Sequence, residues 1–195
     1  MQQSDIIAFF DRLAPRWDEG QRRNESVIRA ILDAAGITEG VSVLDVGCGT
    51  GVLFPDYLAR NVRSLTAVDI SPEMIRVAAG KFSDPRLTLL TGDVETLRFE
   101  DSFDRCVVYN AFPHFPEPAR LIRRLAGLLV PGGRLTIAHG MSRAAIDAHH
   151  AGGAKEVSRG LMDERSLAAL FEPCLEPDLI VSDEEKYIVS GLRRP

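Results

Sequence analysis

The sequence predicts an α/β fold, a three-layer sandwich around a mostly parallel, seven-stranded sheet. Three observations carry that expectation. Apolar runs of strand length alternate with helical stretches between Ser42 and His139, and a glycine-rich loop follows the first run. Two further apolar runs near the C-terminus lie too close together for a crossover helix. Alternation of strand and helix gives a parallel sheet covered on both faces, whereas runs joined by a few residues pair as a hairpin.

Two helices come first. Ser4 to Ala14 places Ile6, Phe9, Phe10 and Leu13 on one face before Pro15 stops the pattern. Glu25 to Ala35 repeats it with Val27, Ile28, Ile31, Leu32 and Ala35, ended by Gly36. Parallel strands are then expected at Ser42 to Asp45, Leu65 to Asp69, Leu87 to Thr91, Phe103 to Tyr109 and Arg134 to His139. Between them lie helices from Gly51 to about Arg60, from Ser71 and Pro72 onward, and from Pro118 to about Leu129. Serine is a good N-cap and proline suits the first helical position. Pro131-Gly132-Gly133 reads as the turn into the fifth strand. Leu179 to Ser182 and Lys186 to Ser190 form the antiparallel hairpin, with Asp183-Glu184-Glu185 as its solvated tip.

Composition narrows the class. The chain has 195 residues, 45% hydrophobic and 26% charged, which fits one domain with a full core and excludes a largely disordered chain. A single domain over 1–195 is expected, with a helical lid at 1–36 and a core at 37–195. The net charge is −5 and no long basic stripe appears, which argues against a nucleic-acid partner. Arg12, Arg16, Arg22 and Arg23 make a local patch only. Cys48, Cys106 and Cys174 match neither a disulfide framework nor a zinc motif, so a reducing, cytoplasmic setting is expected. No signal-peptide pattern opens the chain, and no apolar run is long enough to span a membrane. A monomer or homodimer is expected.

The chemistry gathers at the strand ends. Ligands of open parallel sheets bind beyond the carboxyl ends of the strands, where the winding reverses. Here those ends carry Asp45 to Gly51, Asp69, Asp93, Tyr109-Asn110 and His139. Glycine tolerates positive φ and lets a ligand lie against backbone. A carboxylate at the end of the second strand can accept both hydroxyls of a ribose. A dinucleotide fingerprint has Gly-x-Gly-x-x-Gly, whereas this loop reads Gly47-x-Gly49-x-Gly51 behind Asp45. The acidic trio Asp45, Asp69 and Asp93, with no Lys or Arg in the loop, favours a cationic nucleoside over a pyrophosphate. Cys48 inside the loop reads as a small packing residue.

These residues resemble a known family. Leu44-Asp-Val-Gly-Cys-Gly-Thr-Gly51 and Ala67-Val-Asp-Ile-Ser-Pro-Glu-Met74 are similar to the first two motifs of the class I S-adenosylmethionine-dependent methyltransferases, whose sheet is Rossmann-like. Gly92-Asp93-Val94 resembles the segment that meets the adenine, and Leu129 to Leu135 resembles the turn before strand five. The resemblance implies S-adenosylmethionine as cofactor, held by Asp45, Gly47, Cys48, Gly49, Thr50 and Gly51. It implies Asp69 on the ribose, Ile70 and Met74 beside the adenine, and Gly92, Asp93 and Val94 around its amino group, with Asn110 nearby. Phe9-Phe-Asp-Arg-Leu-Ala-Pro-Arg-Trp-Asp18 is similar to the N-terminal segment of the ubiquinone/menaquinone methyltransferase-like branch, which closes over the cofactor. Trp17 is then either a cation–π cover for the sulfonium or a hydrophobic staple.

Such a reaction needs alignment and exclusion of water, plus a base only when the nucleophile arrives protonated. Candidates are Tyr109, His114, His139, His149 and His150, because histidine titrates near neutrality. The histidines have three open readings: acceptor chemistry, metal ligation together with Asp147, or plain surface positions. Arg143 can grip an anionic acceptor or be a surface charge, and Gly152-Gly153 suits a gate or a turn. The expected activity is methyl transfer to a small, uncharged or anionic molecule. A cofactor-binding regulator without methyl transfer is the alternative, which Tyr109-Asn110 and the histidine-rich segment disfavour. A nicotinamide oxidoreductase is disfavoured by the glycine spacing.

Overall fold

The computed structural model describes residues 2–19, 23–152 and 157–194, with 149–152 described by backbone alone. Strand β1 (Ser42–Val46) is buried along its whole length, as a central strand covered on both faces must be. It pairs in parallel with β2 (Ser64–Asp69) and β4 (Phe103–Tyr109). β3 (Leu87–Thr91) continues beyond β2, and β5 (Leu129–His139) beyond β4. β6 (Leu175–Ser182) and β7 (Tyr187–Arg193) complete a seven-stranded sheet of order β3-β2-β1-β4-β5-β7-β6. The last two are antiparallel, as the short connection requires, and β7 lies between β5 and β6.

Three strands extend well beyond the expected ranges, β7 by running on to Arg193. β6 begins at Leu175 because its polar residues alternate outward, giving a period of two. Pro177 is tolerated there because β6 is an edge strand, and the register shifts between Pro177 and Leu179. β5 begins at Leu129, so Pro131-Gly132-Gly133 is a bulged excursion within the ladder.

Helices cover both faces. On one, α2 (Glu25–Ala34) buries Val27 and Ile31 against Ala138 and Ile188, and Ile28 and Leu32 against Val43 and Tyr57. Asn24 caps it by accepting from the Val27 amide. α3 (Phe54–Ala59) and α4 (Pro72–Lys81) lie on the same side, α4 starting at the Ser71 cap. The other face is covered by α5 (Pro118–Leu128) and α7 (Glu164–Phe171), which bury Leu121, Leu125, Leu167 and Phe171 against Leu44, Val108 and Ile137. Each such leucine contributes about 1.5–3 kcal/mol. α6 (Arg143–Gly152) follows β5.

The first helix, α1 (Gln3–Leu13), runs into a short 3-10 turn at Ala14–Arg16, and both pack on α4. The lid was expected over 1–36. α2 instead belongs to the core layer, leaving α1 and its turn above the carboxyl end of the sheet. Among the described residues, no helix is long and apolar enough to cross a membrane.

Candidate functional site

The winding reverses between β1 and β4, and a cavity of about 760 Å³ opens at that point. A small-molecule site of this size is ordinary. Its floor is the loop after β1. Gly47 and Gly49 take φ of +68° and +55°, which side chains rarely adopt. The Gly47 and Cys48 amides donate to the Val68 carbonyl at 2.8 and 3.1 Å, and the Gly49 amide donates to Asp69 Oδ2 at 2.8 Å. Asp69 Oδ1 accepts from the Ser71 amide at 2.9 Å. One carboxylate therefore ties the glycine loop to the start of α4.

Electrostatics single out Asp45. It is 2% exposed, lines the cavity, and has no hydrogen-bond partner among the described residues. Burial and then the charge of Asp69 push its carboxyl up to about 8. Burial also raises Asp69, while the amides of Ser71 and Gly49 work the other way. Burial and the same two carboxylates raise the Cys48 thiol, so it is no nucleophile. Arg23 and Arg120 also line the wall, but both are committed: Arg23 to Glu25 and Asp56, Arg120 to Glu95.

Most of the expected site residues meet here. Asp45, Gly47, Cys48, Gly49, Thr50, Asp69, Ile70, Met74, Gly92, Asp93, Val94, Tyr109, Asn110, His114 and Trp17 all line this cavity. Asp93 Oδ1 accepts from the Glu95 amide and Oδ2 from Gln3 Nε2. Asn110 has φ +54°, and its Oδ1 accepts from the Gly140 amide at 3.0 Å. Burial raises the Tyr109 phenol, opposed by a hydrogen bond with Asn110. His114 Nδ1 lies 2.7 Å from the Val157 carbonyl. A carbonyl only accepts, so Nδ1 donates.

Others lie apart. Gly51 is off the cavity wall; a Cβ on it would stand 2.6 Å from Phe54, so its bareness serves packing. His139 is also off the wall, 2% exposed, its ring against Tyr187. The alternation along β5 explains this, since Leu135, Ile137 and His139 share a face. His149 and His150 fall on α6 with side chains outside the described residues, and Arg22 and Gly153 lie outside them as well. Asp147 accepts from the Leu161 amide, and among the described residues no metal-binding cluster forms.

Several wall residues carried no clear signal in the sequence. Phe10 and Ile6 were legible only as an apolar stripe, although a short helix outside the strand alternation needs something to cover. Ile28 was likewise legible only as part of an apolar helix face, and Gln3, Asn24 and Met141 had no signal.

Comparison with known proteins agrees with this geometry. Residues 44–137 match the model of a methyltransferase domain family. The ubiquinone biosynthesis O-methyltransferase of Xanthomonas oryzae pv. oryzae is 39% identical over 112 residues, 55% of this chain and 45% of that protein. The demethylmenaquinone methyltransferase of Renibacterium salmoninarum is 32% identical over 142 residues, 69% of this chain and 58% of that protein. The alignments thus span about half the length of these relatives. A chain from the Haloferax volcanii complex of a methyltransferase with its Trm112 activator superposes with TM-score 0.82 at 19% identity, covering 97% of this chain and 98% of its own. The first two show shared sequence and the third shared fold. The chain belongs to the class I S-adenosylmethionine-dependent methyltransferase family, through a domain centred on residues 44–137.

Proposed function

We propose that the protein transfers a methyl group from S-adenosylmethionine to a small, uncharged acceptor. The observation that carries this reading is Asp45: a buried carboxylate with no hydrogen-bond partner among the described residues, beside a glycine loop, in a cavity of nucleoside size. Burying such a group is costly unless a cation meets it. The cradle also fits, because a Cβ on Gly47 would stand 2.6 Å from the Ala111 Cβ and close the space against the backbone.

When bound, S-adenosylmethionine supplies a methyl already activated by its sulfonium. The residues hold and shield it. Asp45 meets the ammonium, and Asp69 receives the ribose hydroxyls with lone pairs its two amide donors leave open. Ile70 and Met74 flank the adenine, and Asp93 accepts its amino group. Gly47, Gly49 and Thr50 lie along the methionine portion, and Trp17 covers the positive charge.

The acceptor side is defined by charge. Asp45, Asp69, Asp93, Glu19 and Glu95 line the cavity, while Arg23 and Arg120 are already paired. Among the described residues of the wall no guanidinium is left unpaired for an anionic acceptor, which favours an uncharged one. His114, on the cavity wall, serves as the base when the acceptor arrives protonated, and Tyr109 orients the acceptor. The names of the relatives, quinone methyltransferases, support a small acceptor.

Titration with S-adenosylhomocysteine and separately with NADH tests the cofactor assignment. Binding of the first alone is expected; binding of NADH alone would overturn it. A methyl-transfer screen across small phenols, quinones, thiols and amines then finds the acceptor.

A further inference from the structure

The segment above the cavity is fastened to α4 at both ends. Near the N-terminus of α4, Asp11 Oδ1 accepts from the Ser71 hydroxyl at 2.5 Å and from the Glu73 amide at 3.3 Å. In its last turn, Lys81 Nζ donates to Asp18 Oδ2 at 2.7 Å. The other oxygen of Asp18 accepts from Thr50 Oγ1 at 2.6 Å, and Thr50 is a nearly fully buried member of the glycine loop. Asp18 thus joins three separate elements: the N-terminal segment, the loop and α4.

The residue next to Asp18 is Trp17. Its Nε1 lies 3.8 Å from where a Cβ on Gly49 would stand, and its ring meets Phe10 edge-on at 5.6 Å. A bulky indole on a short turn has many rotamers and several backbone positions open to it. The bonds to Thr50 and Lys81 remove the backbone freedom on its C-terminal side. The Thr50 bond does so from the same loop the indole covers.

We propose that Asp18 is a positioning residue: through Thr50 and Lys81 it holds the Trp17 indole over Gly49, and cofactor affinity depends on that clamp. This rests on the reading of the cavity as an S-adenosylmethionine site. Charge-assisted hydrogen bonds are the strong ones, so the clamp loosens when either its carboxylate or its ammonium is removed.

Trp17 is the chain's single tryptophan, which makes its emission a direct reporter. The experiment measures acrylamide quenching of Trp17 and the dissociation constant for S-adenosylhomocysteine in wild type, Asp18→Ala, Lys81→Met and Lys81→Arg. Asp18→Ala and Lys81→Met are expected to raise quenching and weaken binding about tenfold, roughly the loss of one charged hydrogen bond. Lys81→Arg should restore both, which a general loss of packing would not do. Unchanged quenching in both loosened variants overturns the clamp, and so does increased quenching with unchanged affinity. If Asp18→Ala does not fold, Lys81→Met on the exposed side of α4 decides alone. Failure of the wild type to bind overturns the cofactor reading instead, while the quenching comparison still judges whether Asp18 holds Trp17.

Discussion

Gly47 and Ala111 approach so closely that a Cβ on the glycine would lie 2.6 Å from the alanine's own Cβ. Gly47 opens the loop after β1 and Ala111 is the second residue of the loop after β4, on either side of the point where the sheet reverses. Gly47→Ala combines that clash with a positive φ, at a cost of about 1–3 kcal/mol. A lowered melting temperature and weaker S-adenosylhomocysteine binding are expected. Adding Ala111→Gly should recover part of both, because it removes the clash and leaves the φ strain.

Asp69→Asn should weaken cofactor binding by about 1.5–3 kcal/mol for each charged hydrogen bond lost. An amide group retains one acceptor oxygen, so it cannot serve Gly49, Ser71 and a ribose together. Calorimetric titration checks this. An unchanged dissociation constant removes Asp69 from the ribose.

The buried carboxyl of Asp45 gives two pH dependences. Its folded value, about 8, lies above the ordinary 3.8, so the unfolded chain ionises first. Its contribution to stability is full below pH 3.8 and is lost as pH rises toward about 8. Asp45→Asn should flatten that decline in melting temperature. Cofactor affinity runs the opposite way, because only the ionised form meets an ammonium. It should rise by up to about tenfold per pH unit below the folded value. The difference between wild type and Asp45→Asn isolates this from titration of the ligand itself.

His114→Ala should reduce turnover by about a hundredfold while leaving S-adenosylhomocysteine affinity within about twofold, since general base catalysis contributes on this scale. His139→Ala should do the reverse of a catalytic variant, lowering the melting temperature with little change in binding. Equal turnover in wild type and His114→Ala would remove His114 from the acceptor chemistry.

The sheet and the floor of the site were legible because both rest on local rules. Gly47 and Gly49 need positive φ, and strand ends follow from the alternation of Val, Leu and Ile with turn residues. β3 and β4 fell at their expected bounds for that reason. What sequence reading lacked is direction and distance. His139 ends a strand as Tyr109 does, yet it points to the face of Leu135 and Ile137, away from the cavity. α7 is only eight residues long, and its signals, the Asp163 cap and the Leu167 and Phe171 spacing, stand outside the strand rhythm. The wall above the site depends on contacts such as Gln3 to Asp93, across 90 residues, which no local pattern encodes.

The placement of β7 between β5 and β6 governs assembly order. β6 emerges from the ribosome before the strand that is its sole neighbour in the sheet, so it must wait unpaired while the intervening position is filled. Its alternating Glu176 and Asp178 keep that waiting ribbon hydrated, and Pro177 interrupts the row of amides through which strangers would zip onto it.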